Sequence, residues 1–389
     1  MKEWQEVSWD DARKVAGTVA EQLKSEEVPL ENATDRILAS DCAALCDLPT
    51  YTTSSMDGWA VSGEGPWKIV GDVKAGAPYA ENLASGTAVR IATGAVIPHG
   101  TFGVVRWEVA DIKDDYVHAI ASEGADIRPA GEECREGDVL AKRGTKLTPS
   151  LIGLLAACGY DSVEVVRKPK IALLLLGDEL LLSGLPYGGR VRDSLGPQLP
   201  GWLERLGAEV VSARYVTDEL PSVIDALSQS LDCDLVITTG GTADGPRDHI
   251  HKALESLKAS FVVDRVKSRP GHPMLLARIP YRGKSVPMLG LPGNPQSAIV
   301  GLMTLGAPLI GSLLGQVPTM LRTVTTQNEM NAPKDFTRLV LGNLDNSRFE
   351  MGDHLGSAML RGLSASTGFA IVKSGNTPVG GDVRWLPLP

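Results

Sequence analysis

Three apolar runs, each ending in a polar loop rich in glycine, constrain this chain more than any other feature. Residues 171–176 run into Gly177-Asp178-Glu179-Leu180, residues 234–238 into Thr239-Gly240-Gly241-Thr242, and residues 286–291 into Pro292-Gly293-Asn294-Pro295. Helical patterns lie between and beyond them, near 199–206, 220–230, 248–257 and 296–310. A strand at 209–216, another at 261–266 and a hairpin of 274–279 with 285–291 complete the set. Such alternation predicts βαβ units and a mostly parallel sheet. In an open parallel sheet, ligands bind outside the carboxyl ends of the strands. The three loops are therefore the expected site.

The flanks have a different texture. Ser8, followed by Trp9-Asp10-Asp11, reads as a helix start running to about residue 24. Residues 35–44 fit a helix or a long strand equally well. Short β-prone runs at 58–61, 67–70, 87–91, 103–107 and 116–120 suggest a small all-β module. A helix at 147–158 opens at Thr148-Pro149 and stops at Gly159. Short β runs return at 320–325, 337–341, 369–372 and 383–386.

Bulk properties narrow the function. The net charge is −9, from 47 acidic and 38 basic residues, which argues against a general nucleic-acid binder. A small anionic substrate needs only local positive potential. The amino terminus carries no apolar signal core, and no apolar run reaches bilayer-spanning length. No nucleic acid and no membrane are expected as partners. The five cysteines follow no zinc or redox spacing, which fits free thiols in a reducing cytoplasm.

The loops carry residue types with definite chemistry. Asp178-Glu179 follows a buried strand, where carboxylates are costly, so both are expected to face the crevice. There they suit magnesium or a sugar hydroxyl. Gly240 and Gly241 permit positive φ and close backbone approach, and their N–H groups suit an anion nest. Asp244 and Asp248 flank the next helix start, where aspartates also serve simply as caps. Arg269-Pro270-Gly271-His272-Pro273 sets two potential cations around a rigid turn; arginine grips oxyanions in a fixed fork, and histidine changes charge near neutrality. Two prolines stiffen the loop from Pro292 to Ser297. In the β module, Asp57 sits in the hydroxyl-rich turn Ser54-Ser55-Met56-Asp57-Gly58, and Thr93-Gly94 forms a second turn.

In this order the motifs resemble the molybdopterin molybdenumtransferase family, which includes the carboxy-terminal half of gephyrin. The matching pieces are Ser55-Met56-Asp57-Gly58-Trp59-Ala60, Arg90-Ile91-Ala92-Thr93-Gly94-Ala95, Arg128-Pro129-Ala130-Gly131-Glu132, Gly177-Asp178-Glu179-Leu180, Thr239-Gly240-Gly241, Arg269-Pro270-Gly271-His272-Pro273 and Gly290-Leu291-Pro292-Gly293-Asn294-Pro295. The resemblance implies a multidomain α/β and β architecture. Its parts are an elongated dimerisation domain from 1–45 plus 141–168, an inserted β module at 46–140, a molybdopterin-binding α/β domain at 169–316, and a C-terminal β-barrel at 317–389. It further implies a head-to-tail homodimer whose cleft takes the β module from one subunit and the α/β domain from the other. The adenylyltransferase of the same pathway is a further possible partner.

The implied reaction consumes adenylylated molybdopterin and molybdate, with Mg2+, and yields molybdenum cofactor and AMP in the cytoplasm. Carry-over assigns Asp57, Glu179 and Asp248 to metal binding or hydrolysis, with Thr93 nearby. Gly240, Gly241 and Asp244 belong to the substrate site, as do Pro292, Gly293, Asn294, Pro295 and Ser297. Arg269, Gly271 and His272, with Arg338 and Ser357 of the last module, are assigned to the oxyanion. The chain departs from the family pattern in four respects. Arg269 and His272 stand where members often carry lysines, Glu133 where an aspartate is usual, Leu195 where an asparagine is usual, and Ala243 where a serine is usual. Two other functions remain open at this level: a molybdopterin-binding or scaffolding paralogue, and a molybdopterin adenylyltransferase.

Overall fold

The computed structural model describes residues 6–243, 248–317 and 320–389. Contacts divide the chain into two compact units, Met1–Glu26 with Val165–Pro389, and Glu27–Glu164.

The larger unit is built on a six-stranded sheet. Its order is Glu209–Val216, Lys170–Leu176, Leu235–Thr239, Lys284–Leu291, Leu275–Tyr281 and Ser260–Asp264. The first four are parallel, and the last two are antiparallel additions. Leu235–Thr239 and Lys170–Leu176 are buried along almost their whole length because helices cover the sheet. Val236, Met288 and Leu174 of the sheet pack with Leu227, Ile250 and Leu254 of the helices. Each such side chain contributes roughly 1.5–3 kcal/mol on burial. Leu275–Tyr281 and Lys284–Leu291 form a hairpin closed by Arg282 and Gly283, both at positive φ (47° and 77°). Two consecutive left-handed residues match the natural twist of the strands.

Pro295–Leu313 is a continuous helix of 19 residues, and 78% of its most apolar window is buried, as in a core helix. It is α-helical over Pro295–Gly301, widens to a π-turn over Leu302–Gly306, and resumes over Ala307–Leu313. Pro308 lacks the N–H that would bond back to Thr304, and its ring crowds that carbonyl; the wider turn relieves the conflict. The short helix Trp9–Ala16 docks there. Trp9 Nε1 donates to Thr304 Oγ1 (3.0 Å), and the Arg13 guanidinium donates to the Met303 carbonyl (2.5 Å). This amino-terminal helix stops at Gly17, well before residue 24, although Ser8 caps it as expected.

The last part of the unit is a barrel. Thr337–Asp345 pairs with both Arg348–Met351 and Gly368–Val372. Arg348–Met351 pairs with Thr323–Thr326, which pairs with Asp382–Pro387, which returns to Gly368–Val372. The ladder closes over five strands, which removes exposed edges. Phe349 and Trp385, 5.8 Å apart, fill its core with Val340 and Ala370. Arg348–Met351 was not evident from the sequence because its partner strands, not its own composition, stabilise it. Ser268–Arg269 joins the barrel in parallel beside Thr337–Asp345, with Arg269 paired to Arg338.

The smaller unit holds a second six-stranded sheet, ordered Gly103–Arg106, Gly58–Ser62, Thr87–Ile91, Trp67–Val73, Tyr116–His118 and Asp111–Lys113. Strand alternation sends Ala60 and Val89 to one core and Trp59, Val61 and Ala88 to the other. All five residues of Gly58–Ser62 are therefore buried. At Gly58 a Cβ would lie 2.0 Å from the Val105 carbonyl oxygen, so only glycine fits. Thr148 caps the helix Pro149–Ala157 by accepting from the Leu151 N–H (3.2 Å). Residues 35–44 form neither a helix nor a long strand; only Cys42–Ala43 is extended in a ladder.

Candidate active site

The carboxyl ends of Lys170–Leu176, Leu235–Thr239 and Lys284–Leu291 are neighbours, because Leu175 pairs with Thr239 and Thr239 with Leu291. Their three loops meet at Gly240 and Gly241, which hold φ of 81° and 66°. The Gly240 N–H donates to the Leu291 carbonyl (2.9 Å), and a Cβ at Gly240 would sit 3.0 Å from the Leu176 carbonyl oxygen. A side chain there would push the loops apart. That N–H is committed to the fold, so Gly240 supplies close approach and not the expected anion nest.

The acidic pair is divided. The Asp178 N–H donates to the Asp218 carboxylate and the Asp218 N–H to the Asp178 carboxylate, both at 3.2 Å. Asp178 therefore locks two loops together instead of facing the crevice. Glu179 alone of the pair lines the cavity above the strand ends.

That cavity has a volume of about 620 Å³, within the usual range for a small-molecule site. Gly240, Gly241 and Pro292 to Pro295 form its floor and side. Glu179, Asp193, Asp218 and Asp248 bring carboxylates to its wall, against the single cation of Arg192 among the described residues. Asp193 is buried and fully engaged. Its carboxylate accepts from the Leu195 N–H (2.9 Å), from the Gly196 N–H (3.0 Å) and from the Tyr215 hydroxyl (2.7 Å). Burial, followed by the Asp193 bond and charge, pushes the Tyr215 phenol up to about 12, so it remains a donor. Asp244 lies outside the described residues.

A second cavity of about 380 Å³ adjoins the first and shares Pro273, Pro292 and Asn294 with it. It is lined by Arg269, Gly271, His272, Ser297, Arg338 and Ser357. The parallel pairing of Arg269 with Arg338 sets two like charges side by side, which is unfavourable without an anion between them. The Arg269 guanidinium lies 5.1 Å from the Phe336 ring centroid, and Arg338 donates to the Asn331 carbonyl (3.1 Å). His272 Nε2 is 2.8 Å from a Glu6 carboxylate oxygen, so this histidine already has a partner. The stiff Pro-Gly-Asn-Pro loop is not a free set of donors either. The Ser357 carbonyl accepts from the Gln296 and Ser297 N–H groups (3.0 and 3.4 Å), and the Asn294 amide donates to the Ser357 hydroxyl (3.4 Å).

The smaller unit carries its own cavity, about 870 Å³, lined by Asp57, Asp72, Lys74, Arg90 and Trp107. The Asp57 carboxylate accepts from the Thr93 N–H (2.7 Å). That bond, then the Thr93 hydroxyl, and also the Arg90 charge, hold the Asp57 carboxyl below its ordinary value. Asp57 and Thr93 are thus brought together as expected.

Among the described residues, no three carboxylate, histidine or cysteine side chains cluster closely enough to hold a metal. Glu179 and Asp248 line one cavity, and Asp57 another in the other unit. Arg192 and Asp218 line the first cavity but carry no sequence signal of their own. Arg192 lies beyond a glycine-rich excursion, and Asp218 follows a strand at the sheet edge. Arg90 opened a motif that carried the resemblance, without an assigned task.

Residues 7–159 match the MoeA N-terminal region (domain I and II), and residues 172–312 match a probable molybdopterin binding domain. The chain is 31% identical over 329 residues to a molybdopterin molybdenumtransferase of Staphylococcus aureus (strain COL), covering 80% of this chain and 78% of that protein. A molybdopterin molybdenumtransferase from Staphylococcus epidermidis is 30% identical over 337 residues, covering 82% and 79%. The crystal structure of a molybdopterin biosynthesis MoeA protein from Pyrococcus horikoshii shares the fold, with a TM-score of 0.81, 24% identity, and coverage of 99% of this chain and 100% of that one.

Proposed function

The chain belongs to the molybdopterin molybdenumtransferase family, and on that premise we propose that it transfers molybdenum from molybdate to adenylylated molybdopterin, releasing AMP and molybdenum cofactor. The observation that carries this reading is the division of charge between two adjoining cavities. Arginines gather on one side of Pro292 and Asn294, and carboxylates on the other. Molybdate, a dianion, suits the arginine side, where Arg269, Arg338, Ser297 and Ser357 offer charge and hydroxyls. The pterin suits the shelf above Gly240 and Gly241, with its hydrogen-bond donors toward the carboxylates. The dithiolene sulfurs that take the metal belong to the substrate, so no cysteine of the chain is required.

A phosphate beside Glu179 and Asp248 needs a cation to neutralise them. Hard oxygen donors fit Mg2+, which takes one or two carboxylates and fills its remaining positions with water and phosphate. Glu179, Asp248 and Asp57 are the residues to hold it. Bound there, the ion would stabilise negative charge that develops as the phosphoanhydride breaks. Asp57, kept ionised by Thr93 and Arg90, would be ready for that duty at neutral pH. The family resemblance implies a head-to-tail dimer, so we assign Asp57 of one copy and Glu179 of the other to one site. With it we propose the four-part division at 45/46, 140/141, 168/169 and 316/317, which would give each half of the site its own module. Leu195, one of the departures from the family pattern, is buried and its N–H is held by Asp193, so the change is absorbed by packing.

The test is AMP release from adenylylated molybdopterin with magnesium, with and without molybdate. Molybdate-dependent release is expected, and its absence rejects the function. Asp57→Asn keeps shape and removes charge. It should leave the melting temperature near wild type while stopping release; unchanged turnover removes Asp57 from the mechanism.

A further inference from the structure

Arg90 lines the Asp57 cavity but has no ligand assigned to it. It lies on Thr87–Ile91, paired with Trp59 on one neighbouring strand and with Asp72 on the other. Its guanidinium carbon stands 4.9 Å from the Trp107 ring centroid. Trp107 in turn stacks on Trp59, with centroids 5.7 Å apart and planes inclined by 13°. Trp59 is buried in the sheet core, whereas Trp107 is half-exposed. The stack therefore runs from the core outward and ends in a charged, planar fork.

A cation held over an indole face keeps its charge and loses rotational freedom. The partners of the Arg90 side chain among the described residues are the Trp107 ring and the nearby charge of Asp57. Its N–H donors thus remain for a ligand, and Lys74 adds a second cation to the same cavity wall. The cavity is large enough for a phosphate and its substituent.

We propose that Arg90, aimed by the Trp59–Trp107 stack, is a phosphate-binding residue on the Asp57 side of the active site. It would grip two oxygens of a substrate phosphate in the bidentate geometry that guanidinium favours. The placement rests on the reading of Asp57 as a member of the reaction site. Two phosphates of the substrate have the required chemistry, that of the adenylate and the terminal one of molybdopterin.

Calorimetric titration of the full-length protein distinguishes them. One arm compares AMP with adenosine, and the other uses molybdopterin. Loss of a charged hydrogen-bond pair should weaken binding by about tenfold or more in Arg90→Ala, with a smaller loss in Arg90→Lys. Loss confined to AMP, with adenosine unchanged, assigns the adenylate phosphate; loss confined to molybdopterin assigns the pterin phosphate. Trp107→Ala should reproduce part of the effect, and Trp107→Phe should restore it. If the AMP-to-adenosine ratio and the molybdopterin affinity of Arg90→Ala both equal those of wild type, the assignment is wrong. Should Asp57→Asn stop AMP release while Arg90→Ala binds normally, only this inference falls. Should Asp57→Asn turn over normally while Arg90→Ala loses phosphate affinity, the reading of Asp57 falls and the anion site stands.

Discussion

Asp234 shows how a single carboxylate sets up the sheet. It lies just before Leu235–Thr239 and accepts two bonds from the Arg167 guanidinium (2.6 and 2.7 Å) and one from the Lys170 N–H (2.8 Å). The start of Lys170–Leu176 is thereby fixed against its neighbour. Burial acts to raise the Asp234 carboxyl, but Arg167 and the Lys170 N–H outweigh it and hold the group below its ordinary value. A depressed folded-state value means the unfolded chain takes up the proton first. The stabilisation is present at neutral pH and is lost as pH falls below about 4. Wild type should therefore lose more melting temperature than Asp234→Asn between about pH 5 and about pH 3, as read by scanning calorimetry. The same scale exposes what sequence could not divide: Asp178 and Glu179 are adjacent and chemically alike, yet one is spent on Asp218 and the other faces a cavity.

At the scale of elements, the helix that begins at Pro295 matters most. Pro295 stands in its first turn, and the Asn294 side chain before it does not cap the helix. The segment around Ser357 caps it from a distant part of the chain. Gln296 is buried, and its amide, oriented to satisfy both ends, donates to the carbonyls of Leu355 (2.8 Å) and Gly356 (3.0 Å). The clamp ties the barrel to the strand ends and positions Ser357 at the arginine-lined cavity. Gln296→Ala removes it and leaves the Leu355 carbonyl without this partner, whereas the Gly356 carbonyl keeps the Met359 N–H (2.8 Å). The expected cost is about 1–3 kcal/mol in chemical denaturation, together with weaker molybdate binding by titration. A variant with wild-type stability would show that the segment is held by other contacts. The π-turn farther along the helix has a legible cause in Pro308, but its partners Trp9 and Arg13 belong to a distant part of the chain.

At the scale of the whole molecule, the proposed two-copy site makes a prediction that no single-chain site shares. Asp57→Asn and Glu179→Gln should each be inactive alone. Mixed and allowed to exchange subunits, they should regain activity, because one hybrid site then has both carboxylates. Random pairing in a symmetric dimer restores roughly a quarter of the sites. Activity of the mixture no higher than that of either variant would place Asp57 and Glu179 in one chain's site, or in none.

The fold class and the position of the cavity above the strand ends were legible because burial imposes them locally. Apolar runs of strand length followed by glycine mark strand ends, and strand ends in a parallel sheet mark the crevice. Gly240 and Gly241, Pro292 to Pro295, and the Thr148 cap could all be read in this way. The tertiary structure alone decided which donors and charges are available. Asp178, His272, Asp193 and the N–H groups of Gln296 and Ser297 are each claimed by residues distant in sequence. The pairing of Arg269 with Arg338, and of Arg90 with Trp107, arises likewise only when separate strands come together. Hydrophobic periodicity is a local property of the chain, whereas the satisfaction of a polar group depends on whatever folding brings within about 3 Å of it.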